Sequence, residues 1–345
     1  MNFVKLTVLC LITTFFMSCG NKTQENIRKP SKNIDSTVWI DNLIDAKAAA
    51  QKENKKIFLF FSGDDQDKSS ASLKKSVFNT QEFMSEMQKK YVLANLDFSN
   101  SLYESAMPSP NASEEEKKQS EQIMAKLEEN SKDASMYNIQ ATPSFFLLTK
   151  EGYVISELIF DEEPKSADDF FKFYETLSTK ITEYENLLTS ATKGKKEDRL
   201  NAINKLFEIT DPQLRFLLQD FSAYYIKTDK NNKTGMVGTH VVALANANAV
   251  KAYLNQDPLT ASEEFAKAAL NKFLTPDEKQ QCFYTAGFLF VQSGTTDYQK
   301  VGEYFKKAYD ASPESPYAET ILSMMRMMEE RYAEQPSADS QNSAK

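Results

Sequence analysis

Residues 61–78 read FSGDDQDKSSASLKKSVF, and the run that leads into them, Lys56 to Ser62, reads KIFLFFS. That run is short, continuously apolar and bounded by polar residues, the pattern of a strand buried on both faces. Before it, Trp39 to Asn54 predicts a helix with Leu43, Ala46 and Ala50 on one face. After it come a segment around Ser70–Val77 and a capping box, Asn79 with Glu82, that predicts a helix through Lys90. Tyr91 to Phe98 (YVLANLDF) reads as a second buried strand. A Pro- and Ser-rich loop follows at 107–112, and Ser113 with Glu116 caps a long polar helix. SFFLLT (144–149) and YVISELIF (153–160), joined by Lys150-Glu151-Gly152, predict a β-hairpin. Ser166 with Asp169 then opens an aromatic-rich helix running toward residue 190. The order β, helices, β, helix, hairpin and closing helix predicts one compact α/β domain.

The stretch 61–78 resembles, without gaps, the segment of thioredoxin-like proteins in which a strand, Trp-Cys-x-x-Cys and a helix follow one another. The resemblance continues in the strand ending Asp97-Phe98. It returns at 137–148 (YNIQATPSFFLL) and in the Glu-Gly-Tyr-Val-Ile of 151–155. It covers about residues 36–180 and implies an α/β thioredoxin-like fold, with a cis peptide bond at Thr142-Pro143. The implied binding residues, Thr142 and Pro143, would line a groove beside the family's active site. Where the family has Cys-x-x-Cys this chain has Asp67-Lys68-Ser69-Ser70, with Asp67 in the attacking position and Ser70 in the resolving one. Thiol–disulfide exchange needs a thiolate nucleophile and a second thiol. A carboxylate and an unactivated hydroxyl supply neither, so the expectation is a domain with vestigial motif positions and no catalytic residues. Asp67 reads as a helix N-cap, where a carboxylate accepts backbone N–H bonds and suits the dipole.

Beyond Lys193-Gly-Lys-Lys196 the strand signals stop, and residues 197–333 read as helix. Thr260 with Glu263, and Thr275-Pro276-Asp277-Glu278, look like capping boxes, the second with Pro at the first helical position. Phe265-Ala-Lys-Ala268 recurs forty residues on as Phe305-Lys-Lys-Ala308. The later unit sets Gly287, Phe290, Tyr298, Phe305, Ala308 and Pro313 in the order of a tetratricopeptide motif, with two extra residues in the turn. It resembles helical-hairpin repeats, so an all-α helical-repeat domain is expected after the α/β one.

The N-terminus carries Lys5 and an apolar stretch from Leu6 to Met17. At ~1.5 Å per residue that stretch reaches ~18 Å, short of a bilayer's ~30 Å, and matches a signal-peptide core. It ends Phe16-Met17-Ser18-Cys19-Gly20, which resembles the lipobox of bacterial lipoproteins apart from Phe16 and Met17. The resemblance implies cleavage before Cys19, lipid attachment to that residue, and export to a membrane-anchored position, facing the periplasm or at the outer membrane or cell surface. The expected organisation is a signal peptide at 1–18, a tether at 19–36, a thioredoxin-like domain at 37–182, a helical domain at 183–333 and a disordered tail at 334–345.

Composition removes several other functions. With 41 Lys and Arg against 49 Asp and Glu, the chain lacks the basic surplus that binding to nucleic acid phosphates needs. One histidine rules out a multi-histidine metal site, and no cofactor is implied. Asp64, Asp65 and Asp67 fail as an EF-hand loop, because position six is Ser70 and position twelve is Ser76. The Met325, Met327 and Met328 cluster reads as the packed side of a final helix, and Asn111-Ala-Ser113 as a helix start. Cys10, Cys19 and Cys282 are the only cysteines. His240 and Cys282, 42 residues apart, could meet on stacked helices as a reactive pair, although a buried cysteine is more often a small hydrophobe. Three functions stay open: a lipid-anchored protein that binds envelope proteins, a thiol–disulfide interchange protein in the periplasm, and a structural assembly subunit.

Overall fold

The computed structural model describes residues 39–63 and 69–333. The signal peptide, Cys19, the tether, Asp64, Asp65, Asp67, Lys68 and the tail all lie outside the described residues. Helix α1 (Leu43–Glu53) starts at Asn42, whose side chain accepts from the Asp45 N–H, and stops at Asn54 in left-handed conformation. It leads into β1 (Lys56–Gly63), then α2 (Ser69–Leu73) and a single wide helical turn, Lys74–Phe78. Helix α3 (Gln81–Met87) follows, then β2 (Tyr91–Phe98), the short α4 (Asn100–Ser105) and the long α5 (Glu114–Met136). The hairpin is β3 (Ser144–Leu148) and β4 (Val154–Glu157).

The four strands form one sheet in the order β2-β1-β3-β4, with β1 parallel to β2 and antiparallel to β3. β1 is central, so its alternating side chains feed two cores, which is why the sequence there is apolar without alternation. Ile57, Leu59 and Phe61 pack with Leu43, Ala46 and Ala50 of α1 and with Tyr137. Phe58 and Phe60 meet Phe78 at ring-centroid distances of 5.6 and 5.3 Å, and Phe60 stacks on Phe145 at 4.8 Å. Phe170 closes that aromatic side from α6 (Ala167–Thr176), 5.9 Å from Phe58. Ile40 adds a single parallel bridge outside β2, donating to the Leu93 carbonyl at 2.9 Å and covering that edge.

Two local readings are corrected. The N-cap of α3 is Thr80, which accepts from Phe83, while Asn79 ends the preceding turn. The aromatic helix expected to run toward 190 breaks at Leu177 into α6 and α7 (Ser178–Lys193). α8 (Lys196–Ile209) follows and packs on α7.

The chain divides into two compact units, with the division at Leu217/Leu218. The division expected at 182/183 therefore moves: α7 and α8 pair with one another and α7 touches β4, so both belong to the unit of the sheet. A change from mixed to helical composition marks where strands end, whereas the unit boundary depends on what those helices pack against.

The second unit consists of helices: α9 (Gln219–Thr228), α10 (Val237–Leu254), α11 (Pro258–Ala268), α12 (Pro276–Gln292), α13 (Tyr298–Ala311) and α14 (Ala318–Ala333). Each packs mainly on its neighbours in sequence, from α9 through α14. The recurring tetrapeptides fall on the second helix of consecutive hairpins, and Phe265, Ala268, Phe305 and Ala308 are all buried. Gly287 gives α13 its close approach, since a Cβ there would lie 3.1 Å from Phe305 and Tyr304. The Thr275 capping box forms with Glu278. The one expected at Thr260 does not, because Asp257 caps α11 one turn earlier and Pro258 sits at its start. On α14, Met325 and Met328 pack toward Phe305 and Ile321, and Met327 is left exposed.

Candidate functional site

The site expected from the sequence falls at the carboxyl ends of the parallel strands β1 and β2, where open α/β sheets place ligands. β1 delivers Ser62 and Gly63, and its parallel register sets Ser62 opposite Asp97 and Gly63 opposite Phe98. The Thr142-Pro143 peptide bond is cis, as the resemblance implies, and both residues are partly exposed. Thr142 lies directly over Gly63: a Cβ on Gly63 would be 2.6 Å from the Thr142 hydroxyl oxygen and 3.4 Å from its Cβ. The glycine is therefore required by close approach.

Ser70, expected from the resemblance in the resolving position, is 2% exposed, and its hydroxyl accepts the Gly63 N–H at 3.3 Å. That contact ties the first turn of α2 to the end of β1. Ser69 beside it donates to Glu163, which brings the acidic loop 161–163 against the start of α2. Asp67, expected from the resemblance in the attacking position, lies outside the described residues.

Four further residues complete the polar floor of the site, and sequence reasoning missed all of them. Asp97 accepts from the hydroxyls of Ser62 at 2.9 Å and Ser99 at 3.1 Å, and pairs with the Lys74 ammonium at 3.5 Å. The same ammonium stands 5.6 Å from the centre of the Phe60 ring. With Lys74 beside it and both oxygens accepting hydroxyl hydrogen bonds, Asp97 ties the ends of β1 and β2 to the turn above them. The signal that could have found it is the β1–β2 register, which no short-range pattern supplies.

The candidate pair in the helical unit does not have the electrostatics of a reactive thiol. His240 on α10 stacks on Tyr225 of α9, with ring centroids 4.0 Å apart, and its Nδ1 lies 3.4 Å from the Ser222 hydroxyl. Burial pushes the imidazole down to about 4, so it is neutral at pH 7. Cys282 on α12 is 0% exposed, and burial, with the Glu278 carboxylate adding to it, pushes its thiol up to about 12. A neighbouring imidazolium would act in the opposite direction. Among the described residues no cluster of three or more His, Cys, Asp or Glu side chains is arranged to hold a metal ion.

Residues 43–159 match a family model described as a thioredoxin-like domain, and residues 236–334 match one described as an uncharacterised protein C-terminal domain. No curated protein matches the chain. A solved structure described as "DsbH Oxidoreductase" is 15% identical over 48% of this chain and 95% of its own, with a TM-score of 0.29. The chain thus carries a thioredoxin-like α/β domain followed by an all-helical C-terminal region.

Proposed function

We propose that this protein is a lipid-anchored binding or scaffolding protein of the cell envelope whose thioredoxin-like domain has lost its redox chemistry. A thioredoxin-like fold serves a thiol–disulfide interchange protein equally well, so the reading rests on the residues at the exchange site. The observation that carries it is the pair at the vestigial positions. Asp67 and Ser70 replace both thiols, and Ser70 is committed to the backbone of Gly63. Cys282 offers no substitute, because a buried thiol held near 12 is almost wholly protonated at neutral pH. Two features then remain for binding: the groove beside Thr142 and Pro143, and the stacked helical hairpins of the second unit, an architecture used for extended binding surfaces.

Insulin reduction by the purified mature protein tests the redox part. The expected result is a rate indistinguishable from buffer; turnover lost on Cys282→Ala would establish the interchange alternative. A photo-crosslinking amino acid placed at Thr142 in cells tests the binding part. The expected result is one or a few specific protein adducts, and absence of any adduct above a surface control would count against the groove.

Anchoring rests on Cys19 following the apolar core directly. The chain has 41 basic against 49 acidic residues, and cleavage would remove only Lys5 from this count, so the body has no electrostatic reason to lie on anionic lipid and acyl chains would do the holding. Fatty-acid labelling should be abolished by Cys19→Ser, and labelling that persists in that variant refutes the lipoprotein assignment.

A further inference from the structure

Among the described residues of the α/β unit, four large apolar side chains are exposed: Tyr103, Met107, Ile159 and Ile209. Three of these four lie at one end of the sheet, the end that carries Thr142 and Pro143. The register places them there. Gly63 pairs with Phe98 at the end of β2, and α4, with Tyr103 and then Met107, starts two residues later. Phe61 pairs with Ser144 at the start of β3, and Phe145 accepts from the N–H of Leu158, so Ile159 emerges at the same end. Ile159 is 72% exposed and Met107 is 67% exposed, although the unit buries most of its other large apolar side chains.

The polar residues among them carry one sign. The segments 99–113 and 158–165 hold Glu104, Asp161, Glu162 and Glu163 against the single base Lys165. All three carboxylates of 161–163 are exposed, and Glu163 fixes that loop to Ser69 of α2. The nearby Lys74 is committed to Asp97.

We infer that this end of the sheet docks an extended polypeptide segment of another protein, apolar in its middle and flanked by lysine or arginine. The inference rests on the groove reading above and adds the chemistry of the occupant. Apolar side chains of the segment would cover Ile159, Met107 and Tyr103, and its basic flanks would meet the 161–163 loop. Complementary charge of this kind sets partner choice and association rate. A second copy of this chain, with a formal net charge of −8, brings like charge to the site. An anionic lipid surface does the same.

The experiment uses the full mature chain and an array of twelve-residue peptides of random composition, read at low salt. The peptides bound are expected to be enriched in Lys and Arg around apolar residues. Raising the salt from 0.05 to 0.3 M should weaken the best of them by roughly tenfold. Ile159→Ser should weaken them as well. The triple variant Asp161→Lys, Glu162→Lys, Glu163→Lys, all at exposed positions, should shift the preference toward acidic peptides. Capture of neutral or acidic peptides by the wild-type protein, with no change in the triple variant, overturns the charge inference and leaves the groove standing. Binding that survives Ile159→Ser overturns the apolar half of the inference. Capture of no peptide at all removes both the inference and the groove reading.

Discussion

Acidification from pH 7 to pH 4 is expected to destabilise the all-helical unit by about 3 kcal/mol through His240 alone. The imidazole is 0% exposed, between α9 and α10, and burial holds it near 4 in the folded chain. In the unfolded chain it takes a proton near its ordinary 6.5. The folded state therefore binds fewer protons than the unfolded state throughout that window. The contribution of His240 to stability is complete above about 6.5, falls as pH drops, and is fully lost near 4. His240→Gln keeps a neutral polar side chain and removes the titration. Hydrogen exchange over α9 and α10 provides the readout. Their protection should fall between pH 6.5 and pH 4 in the wild type and stay nearly flat in the variant. An equally steep fall in His240→Gln would show that the imidazole is not the group responsible.

The α/β unit is expected to respond with the opposite sign, through Asp133. This carboxyl of α5 is 8% exposed, and its Oδ2 has no hydrogen-bond partner among the described residues. Burial pushes it up to about 7 from an ordinary 3.8, and the Lys47 ammonium only partly offsets this. Lys47 is itself pushed down by burial. Its stem runs over Gly152, where a Cβ would come within 2.3 Å of the lysine Cε. Gly152 adopts φ 97°, and its carbonyl accepts from the Tyr137 hydroxyl at 2.8 Å. A carboxyl raised in the folded state favours folding most when both states are protonated, below about 4. That contribution is lost as pH rises toward 7, where the buried group must ionise. The cost is on the order of a few kcal/mol. Trp39, the only tryptophan, belongs to this unit and stacks 6.3 Å from Phe83, so its fluorescence follows the α/β unit. Denaturant midpoints read by that signal should drop between pH 4 and pH 7 in the wild type more steeply than in Asp133→Asn. Parallel slopes in the two proteins would refute the assignment.

The elements of the α/β unit were legible because each rests on short-range chemistry. KIFLFFS is a central strand because both faces of β1 are covered, and Ser113 with Glu116 forms its capping box with both reciprocal hydrogen bonds. The two capping errors have one origin. Asn79 and Thr260 are plausible caps by spacing, and Thr80, one residue later, and Asp257, three residues earlier, took the position instead. Two polar side chains within one turn compete to cap the same helix start, and the path of the chain into the helix decides between them. The Thr142-Pro143 turn was visible in the sequence, but the polar contacts at the ends of β1 and β2 were not. Asp97 and Lys74 are 23 residues apart, and they meet only because β1 and β2 pair in parallel with the turn 74–78 above them.

The sequence by itself determined the order of strands and helices, the absence of any cysteine between Cys19 and Cys282, and the presence of a single histidine. Each of these is a matter of residue identity or of periodicity within one element. Only the tertiary structure decided that α7 and α8 belong with the sheet, that Asp133 and Lys47 share a buried site, and that His240 is neutral. A charge is shifted by whatever excludes water around it, and for Asp133 that includes α1, 86 residues earlier in the chain at Lys47. Burial is a property of packing between distant segments, and no window along the chain contains it.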